Sequence, residues 1–319
     1  MSDIAAPAAR ATGRLPAPVP WSARRILQTC LGLVWLLDAA LQFQPYMFTS
    51  NFVTKIIEPA AAGDPAVIAA PLTWSARIMA SHIVAANTAF AVIQLAIAAW
   101  LLTGRAPRLA LTASIAWAAA VWWLGEGLGT VLTGGSPLAG LPGAVILYAL
   151  IALLIWPTRD GPGIARLAPA LRGPLRPFAA EVAWLILWTG FACYLLLPGN
   201  RAPGAISQDF ASLAVGQPGW VRFIQQNLAA ITAGHGLVAS VVVAAACALA
   251  GAGIFADRLA RPALVLACLL GLLFWAAEGF GGLTTGQATD PNSGPLLILL
   301  AACYWPPRQP SVNAALPRT

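Results

Sequence analysis

Apolar runs of about 17 to 25 residues recur eight times along this chain, near 26–47, 78–102, 109–125, 142–156, 180–198, 227–254, 263–277 and 294–305. A helix of that length crosses a hydrocarbon layer about 30 Å thick. Within such a layer, only helices and closed barrels satisfy their own backbone polar groups. The expectation is therefore an all-α, polytopic membrane protein with about eight transmembrane helices. The fourth and eighth runs are short, but the Gly and Pro upstream of each belong to their outer ends. Composition points the same way. Charged residues make up 9% of the chain and hydrophobic ones 59%, against about 25% charged in soluble domains, and mean hydropathy is +0.76. A soluble-type enzyme is excluded.

Arginines mark every second connection. Arg10, Arg14, Arg24 and Arg25 precede the first run; Arg105 and Arg108, then Arg159, Arg166, Arg172 and Arg176, then Arg258 and Arg261, then Arg308 and Arg318 follow in turn. The positive-inside bias places these connections, and both termini, in the cytoplasm. The expected location is a bacterial inner membrane, with the long loops in the periplasm. The net charge of +7 is accounted for by this topology, so membrane lipid is an expected partner and nucleic acid is not. The reading divides the chain into a disordered cytoplasmic arm (1–25), a first four-helix unit (26–157), an Arg/Pro-rich linker (158–177), a second four-helix unit (178–307) and a tail (308–319).

The division rests on an internal repeat. The only two histidines, His82 and His235, are followed 44 and 43 residues later by Glu126-Gly127 and Glu278-Gly279. When Gly32 is set against Gly190, Phe52 meets Phe210, SHIVAAN meets GHGLVAS, WWLGEGLG meets FWAAEGFG, and LLIWP meets CYWPP. Four helices per unit return the chain to its starting side, so the copies are expected as parallel repeats about an axis along the membrane normal. In that alignment Leu196 stands roughly where Asp38 does. The first unit is then the more polar one and the candidate active half.

Depth follows from a rise of about 1.5 Å per residue: His82 lies about 34 Å and Glu126 about 27 Å from the Arg-marked edge, and His235 and Glu278 repeat those depths. Asp38 lies about 20 Å deep by the same rule, within GLVWLLDAALQF. A carboxylate there costs about 2.5 to 3.5 kcal/mol on insertion scales, so it is expected to face the bundle interior or a wet cavity with a partner. Gln42 shares its helix face at i+4.

Two kinds of site fit these residues. In one, His82, Glu126, His235 and Glu278 hold a metal ion, or the two histidines ligate a haem; imidazole with carboxylate suits iron, zinc or manganese. In the other, Asp38, Gln42 and Glu126, with Trp35, Trp117, Trp122, Trp123 and Trp275, line a proton-linked or quinone-linked pocket open to the periplasmic side. The plainer alternatives are an interfacial tryptophan belt that includes Trp122, glutamates that tie down loop amides, and histidines satisfied by neighbouring side chains. Cys30, Cys193, Cys247, Cys268 and Cys303 form no CxxC pair and are read as packing residues. No nucleotide-binding loop or Ser/His/Asp set is present.

The first run, with Arg25, Leu31-Gly32 and Asp38-Ala39, followed by a long outer loop and three further helices, resembles the DoxX/DoxD-like group of four-helix bacterial membrane proteins, here present twice. Asp38 stands where that group has a small residue. The resemblance implies association with membrane redox chemistry, such as a subunit of a thiosulfate:quinone oxidoreductase, and partners among other membrane or periplasmic subunits. It implies no catalytic residue. The functional expectation is an accessory or subunit in quinone-linked or metal/haem-linked redox work, with a structural subunit of a larger complex and a small-solute transporter as alternatives.

Overall fold

A computed structural model describes residues 22–158, 168, 169, 175 and 177–306. The expected arm up to residue 21, most of the linker and the tail lie outside the described residues. Those described are helical, without strands. In order they form α1 (Ala23–Gln42), α2 (Ser50–Phe52), α3 (Ala66–Ser81), α4 (Ile83–Thr103), α5 (Pro107–Leu124), α6 (Ala144–Leu154), α7 (Pro177–Leu195), α8 (Ala205–Leu213), α9 (Gly219–Thr232), α10 (Gly236–Ala252), α11 (Ala260–Ala277) and α12 (Ser293–Tyr304).

Four of the helical stretches are long and apolar enough to cross a membrane: α4, α7, α10 extended to Phe255, and α11. Only 28% to 39% of each span is buried, and the outward faces carry side chains such as Val84, Val92, Val238, Val242 and Leu249, all exposed. An apolar surface of this extent is a liability in water and the ordinary condition in lipid. The protein is a multi-pass membrane protein. The two shorter apolar helices are α6 and α12.

Helix ends are closed by side chains from neighbouring helices. The last carbonyls of a helix have no partner within it, and at the end of α4 they are met from α1: Arg25 donates to Leu101 O (2.9 Å) and to Leu102 O, and Gln28 donates to Leu101 O (2.9 Å). A cation at a helix C-terminus is also favoured by the helix dipole. Arg24 reaches Thr158 (3.4 Å) and Arg108 reaches Pro157 O (3.4 Å), so these arginines gather at one end of the first helices. Expected as topology markers, these arginines also tie helix ends together, and Arg25 among them is a cap.

The two halves pair their helices alike. α1 packs on α4 as α7 packs on α10, and α5 packs on α6 as α11 packs on α12, while α6 and α12 meet between the halves. Buried positions share a register: Leu31, Trp35, Asp38 and Gln42 of α1 correspond to Trp184, Trp188, Phe191 and Leu195 of α7, each 153 residues on. Asn87, Ala91, Gln94 and Ala98 of α4 correspond at the same separation to Ser240, Ala244, Cys247 and Gly251 of α10. The Gly32–Gly190 alignment is thus off by five residues in the first helix, and Phe191, not Leu196, occupies the place of Asp38. The same separation of 153 holds for His82 and His235, so the intervening outer loops match in length.

Each half also lends a loop to the other. Tyr194 donates to Val131 O (2.7 Å) and Asn200 to Gly134 O (3.1 Å), holding the loop of the first half on the second. Gln44 donates to Ala288 O (3.5 Å), holding the loop of the second half on the first.

Candidate ligand cavity

On α1, Trp35, Asp38 and Gln42 fall at i, i+3 and i+7 and so project from one face. On α4, Ala86, Phe90 and Gln94, at i, i+4 and i+8, also share one face. Between these faces, α3 and α5 enclose a cavity of about 310 Å³, room for about ten waters at liquid density. Phe52, Ile56, Trp74, Ile78 and Val121 supply apolar wall, and Glu126, Thr289 and Asp290 reach it from loops. Asp290 belongs to the second half. No Lys, Arg or His is among the lining residues.

Trp35 is fixed from two sides: its Nε1 donates to Ser114 Oγ (2.9 Å) and its ring lies 4.4 Å from that of Tyr148. The polar lining is left unsatisfied. Asp38 Oδ1, Gln42 Oε1, Gln94 Oε1, Glu126 Oε2 and Trp117 Nε1 all lack a hydrogen-bond partner, and Asp38 is only 2% exposed. The Tyr148 hydroxyl neighbours the Asp38 carboxyl and is placed to donate to it. Buried polar groups are as a rule bonded; five orphans around one space point to a ligand or ordered water. Asp290 is the exception, since Thr289 donates to its Oδ2 (2.8 Å) and the Asn292 amide to its Oδ1 (2.7 Å). Burial raises the Asp290 carboxyl above its ordinary range against the pull of those two donors. Burial, and then the charge of Asp290, raise Glu126 well above its ordinary range.

The expected site residues divide. Trp35, Asp38, Gln42 and Glu126 converge on the cavity. His82 is exposed between α3 and α4, its Nδ1 2.9 Å from Ser81 Oγ, and His235 is exposed before α10, its Nδ1 2.8 Å from Ala233 O. Neither lines the cavity. Trp122 donates to Pro142 O (2.7 Å) and braces the turn before α6. Glu278, 4% exposed, accepts from the Ser293 hydroxyl and from the Ser293 amide (3.2 Å), and so caps α12. Burial pushes its carboxyl up to about 8, the Ser293 bonds pulling the other way. The four expected metal ligands are therefore dispersed, and among the described residues no three His, Cys, Asp or Glu side chains are placed to hold a metal.

Both Glu-Gly motifs open the same unusual turn. Gly127, Leu128, Gly129 and Thr130 have φ of 54°, 57°, 60° and 61°; Gly279, Phe280, Gly281 and Gly282 have 63°, 56°, 67° and 61°. Four successive left-handed residues are costly for side chains with a Cβ, which explains the glycines. The turns bring Glu126 beside Gly143 at the start of α6 and Glu278 to the start of α12.

Sequence reasoning missed Asp290. Its signal is that it is the only acidic residue between Gly279 and Pro306, in a loop flanked by apolar helices. No protein-family model matches the chain, and comparisons with curated proteins and with solved structures found no match.

Proposed function

We propose that the protein takes a lipid-soluble quinone into the cavity of its first half and serves as an accessory or subunit in quinone-linked redox work at a bacterial inner membrane. The observation that carries this reading is the cavity: an apolar, aromatic-rich wall with unsatisfied carboxyl and amide groups at one side. The head of a quinone/quinol pair has the same division, a flat apolar ring edged by oxygens: quinol hydroxyls donate to unpartnered carboxyl and amide oxygens, and quinone carbonyls accept from a protonated carboxyl or from Trp117 Nε1. Sites for small molecules are commonly built this way, mostly apolar with a few convergent polar groups. The likeness of the first helix to DoxX/DoxD-like proteins supports the same chemistry. In this reading α1, α5, α6 and α12 complete an eight-helix, four-plus-four tandem repeat, with termini in the cytoplasm and the cavity toward the periplasm. The matched burial registers and the paired left-handed turns support the duplication, and the arginine positions support the orientation.

The test is quinone binding by the purified protein in lipid nanodiscs, read as quenching of tryptophan fluorescence, beside Asp38→Phe. That substitution places in the first half the side chain that Phe191 provides in the second. Saturable quenching that Asp38→Phe abolishes is the expected result. Equal quenching in both proteins, or none in the wild type, overturns the proposal.

A further inference from the structure

Trp117 lines two spaces. One is the cavity; the other is a groove of about 390 Å³ between α4 and α5, lined by Ile93, Ala96 and Trp100 on one helix and Ala113 and Ala116 on the other. The only polar groups among the groove's lining side chains are the indoles of Trp100 and Trp117, and Trp117 Nε1 has no hydrogen-bond partner. It runs along α4 for about 10 Å by helix rise, toward the end marked by Arg105 and Arg108. It lies within a candidate membrane span, where Ile93 and Trp100 are 36% and 37% exposed, so it faces the hydrocarbon of the bilayer. On the cavity side Trp117 meets Phe90 edge-on, with ring centroids 5.4 Å apart.

Because Trp117 is a wall of both spaces, we infer that the ligand of the cavity carries a long hydrocarbon tail, which lies in the α4–α5 groove while its head occupies the cavity, with Trp117 at the junction. The inference rests on the quinone reading and extends it from a head group to an isoprenoid-like or alkyl-tailed molecule loaded sideways from the bilayer. The small side chains Ala96, Ala113 and Ala116 leave the groove open. Lipid tails are as apolar as the groove wall, so seating a tail there adds no hydrophobic gain over the bilayer itself. The groove therefore acts by shape: it lets the head enter without pulling the tail through the protein, and filling it should exclude long tails while sparing short ones.

Photolabelling separates the parts. Two benzoquinone probes are used on the protein in nanodiscs, one with a diazirine on the head and one with the diazirine on a decyl tail, each with and without excess unlabelled quinone. The expected result is competed head labelling of cavity residues and competed tail labelling between Ile93 and Trp117. In Ala116→Trp, affinity should fall about 10-fold for the decyl probe, the scale of overpacking a tight site, and stay within about 2-fold for a methyl-tailed quinone. If the head labels the cavity but the tail labels residues 56–78, the groove assignment is overturned and the quinone reading stands. If the head labels nothing that competes, both fall. Equal loss for long and short tails in Ala116→Trp also overturns the groove assignment.

Discussion

The cavity of the first half and the same position in the second are built on matching helices and filled differently. Where the first half has Asp38, Gln42 and Gln94, the second has Phe191, Leu195 and Cys247. Phe191 stacks edge-on against Phe274 and against Trp188, with ring centroids 5.6 Å and 5.4 Å away. That aromatic cluster stands where the first half has open space. A helical scaffold thus sets where a site can be, and side-chain volume and polarity decide whether one exists. The second half adds to the first in one respect: its loop carries Asp290 into the cavity of its neighbour.

The sharpest way to break this comparison is to truncate the matched residues. Phe191 is 1% exposed and fully packed, so Phe191→Ala should cost about 3 to 5 kcal/mol through lost burial and a new void. Asp38→Ala removes a buried carboxyl whose Oδ1 has no partner, at the wall of the cavity. It should change stability by about 1 kcal/mol at most, with stabilisation expected, since an unsatisfied buried polar group is itself a cost. Unfolding in mixed micelles measures both. Equal losses would mean that the two positions are packed alike and that the contrast is mistaken.

A second pair tests the two glutamates, which share a motif and differ in partners. Glu278 holds the Ser293 hydroxyl and amide, so Glu278→Ala should cost about 1 to 3 kcal/mol by stranding a helix N-terminus. Glu126 accepts from the Val145 amide but leaves its Oε2 unpartnered, so Glu126→Ala should cost less while weakening quinone binding. The carboxyl of Glu278 is raised to about 8 from an ordinary 4.5. A group raised on folding contributes its full share of stability below its unfolded value and loses it as pH rises through the folded one. Wild-type stability should therefore decline between about pH 4.5 and pH 8, and Glu278→Gln should flatten that slope. A slope unchanged by the substitution would assign the decline to other groups.

Much of this was legible in sequence because periodicity and local chemistry carry it. The eight apolar runs anticipated the positions of α1, α4, α5, α6, α7, α10, α11 and α12, with boundaries shifted at loop ends: the run from 227 to 254 is broken at Gly234-His235, giving α9 and α10. Asp38 and Gln42 announced an inward polar face by cost and spacing alone. Recurrence in sequence does not encode where side chains converge: His82 and His235 each sit at a helix junction bonded to their own neighbourhood and line no part of the cavity. Glu278 looked like Glu126 until Ser293 came into contact with it. Asp290 escaped because its relation to Asp38 crosses from one half to the other, a separation of 252 residues that no local pattern encodes.

The smallest expected effect tests the paired turns themselves. Thr130 and Gly282 take the same place after the Glu-Gly motif and share φ of 61°. At that angle a β-branched residue is a genuine outlier, held by the rest of the turn, whereas glycine adopts it freely. Thr130 is exposed, so its side chain buries little that a substitution would lose. Thr130→Gly should thus recover about 1 to 2 kcal/mol of left-handed strain less about 0.5 to 1 kcal/mol for the freer unfolded chain, a net gain of about 0.5 to 1 kcal/mol. Gly282→Thr in the other half should lose a similar amount, read in the same unfolding assay. A loss in Thr130→Gly would mean that the threonine side chain holds the first turn in place, and that the two turns reach one backbone shape by different means.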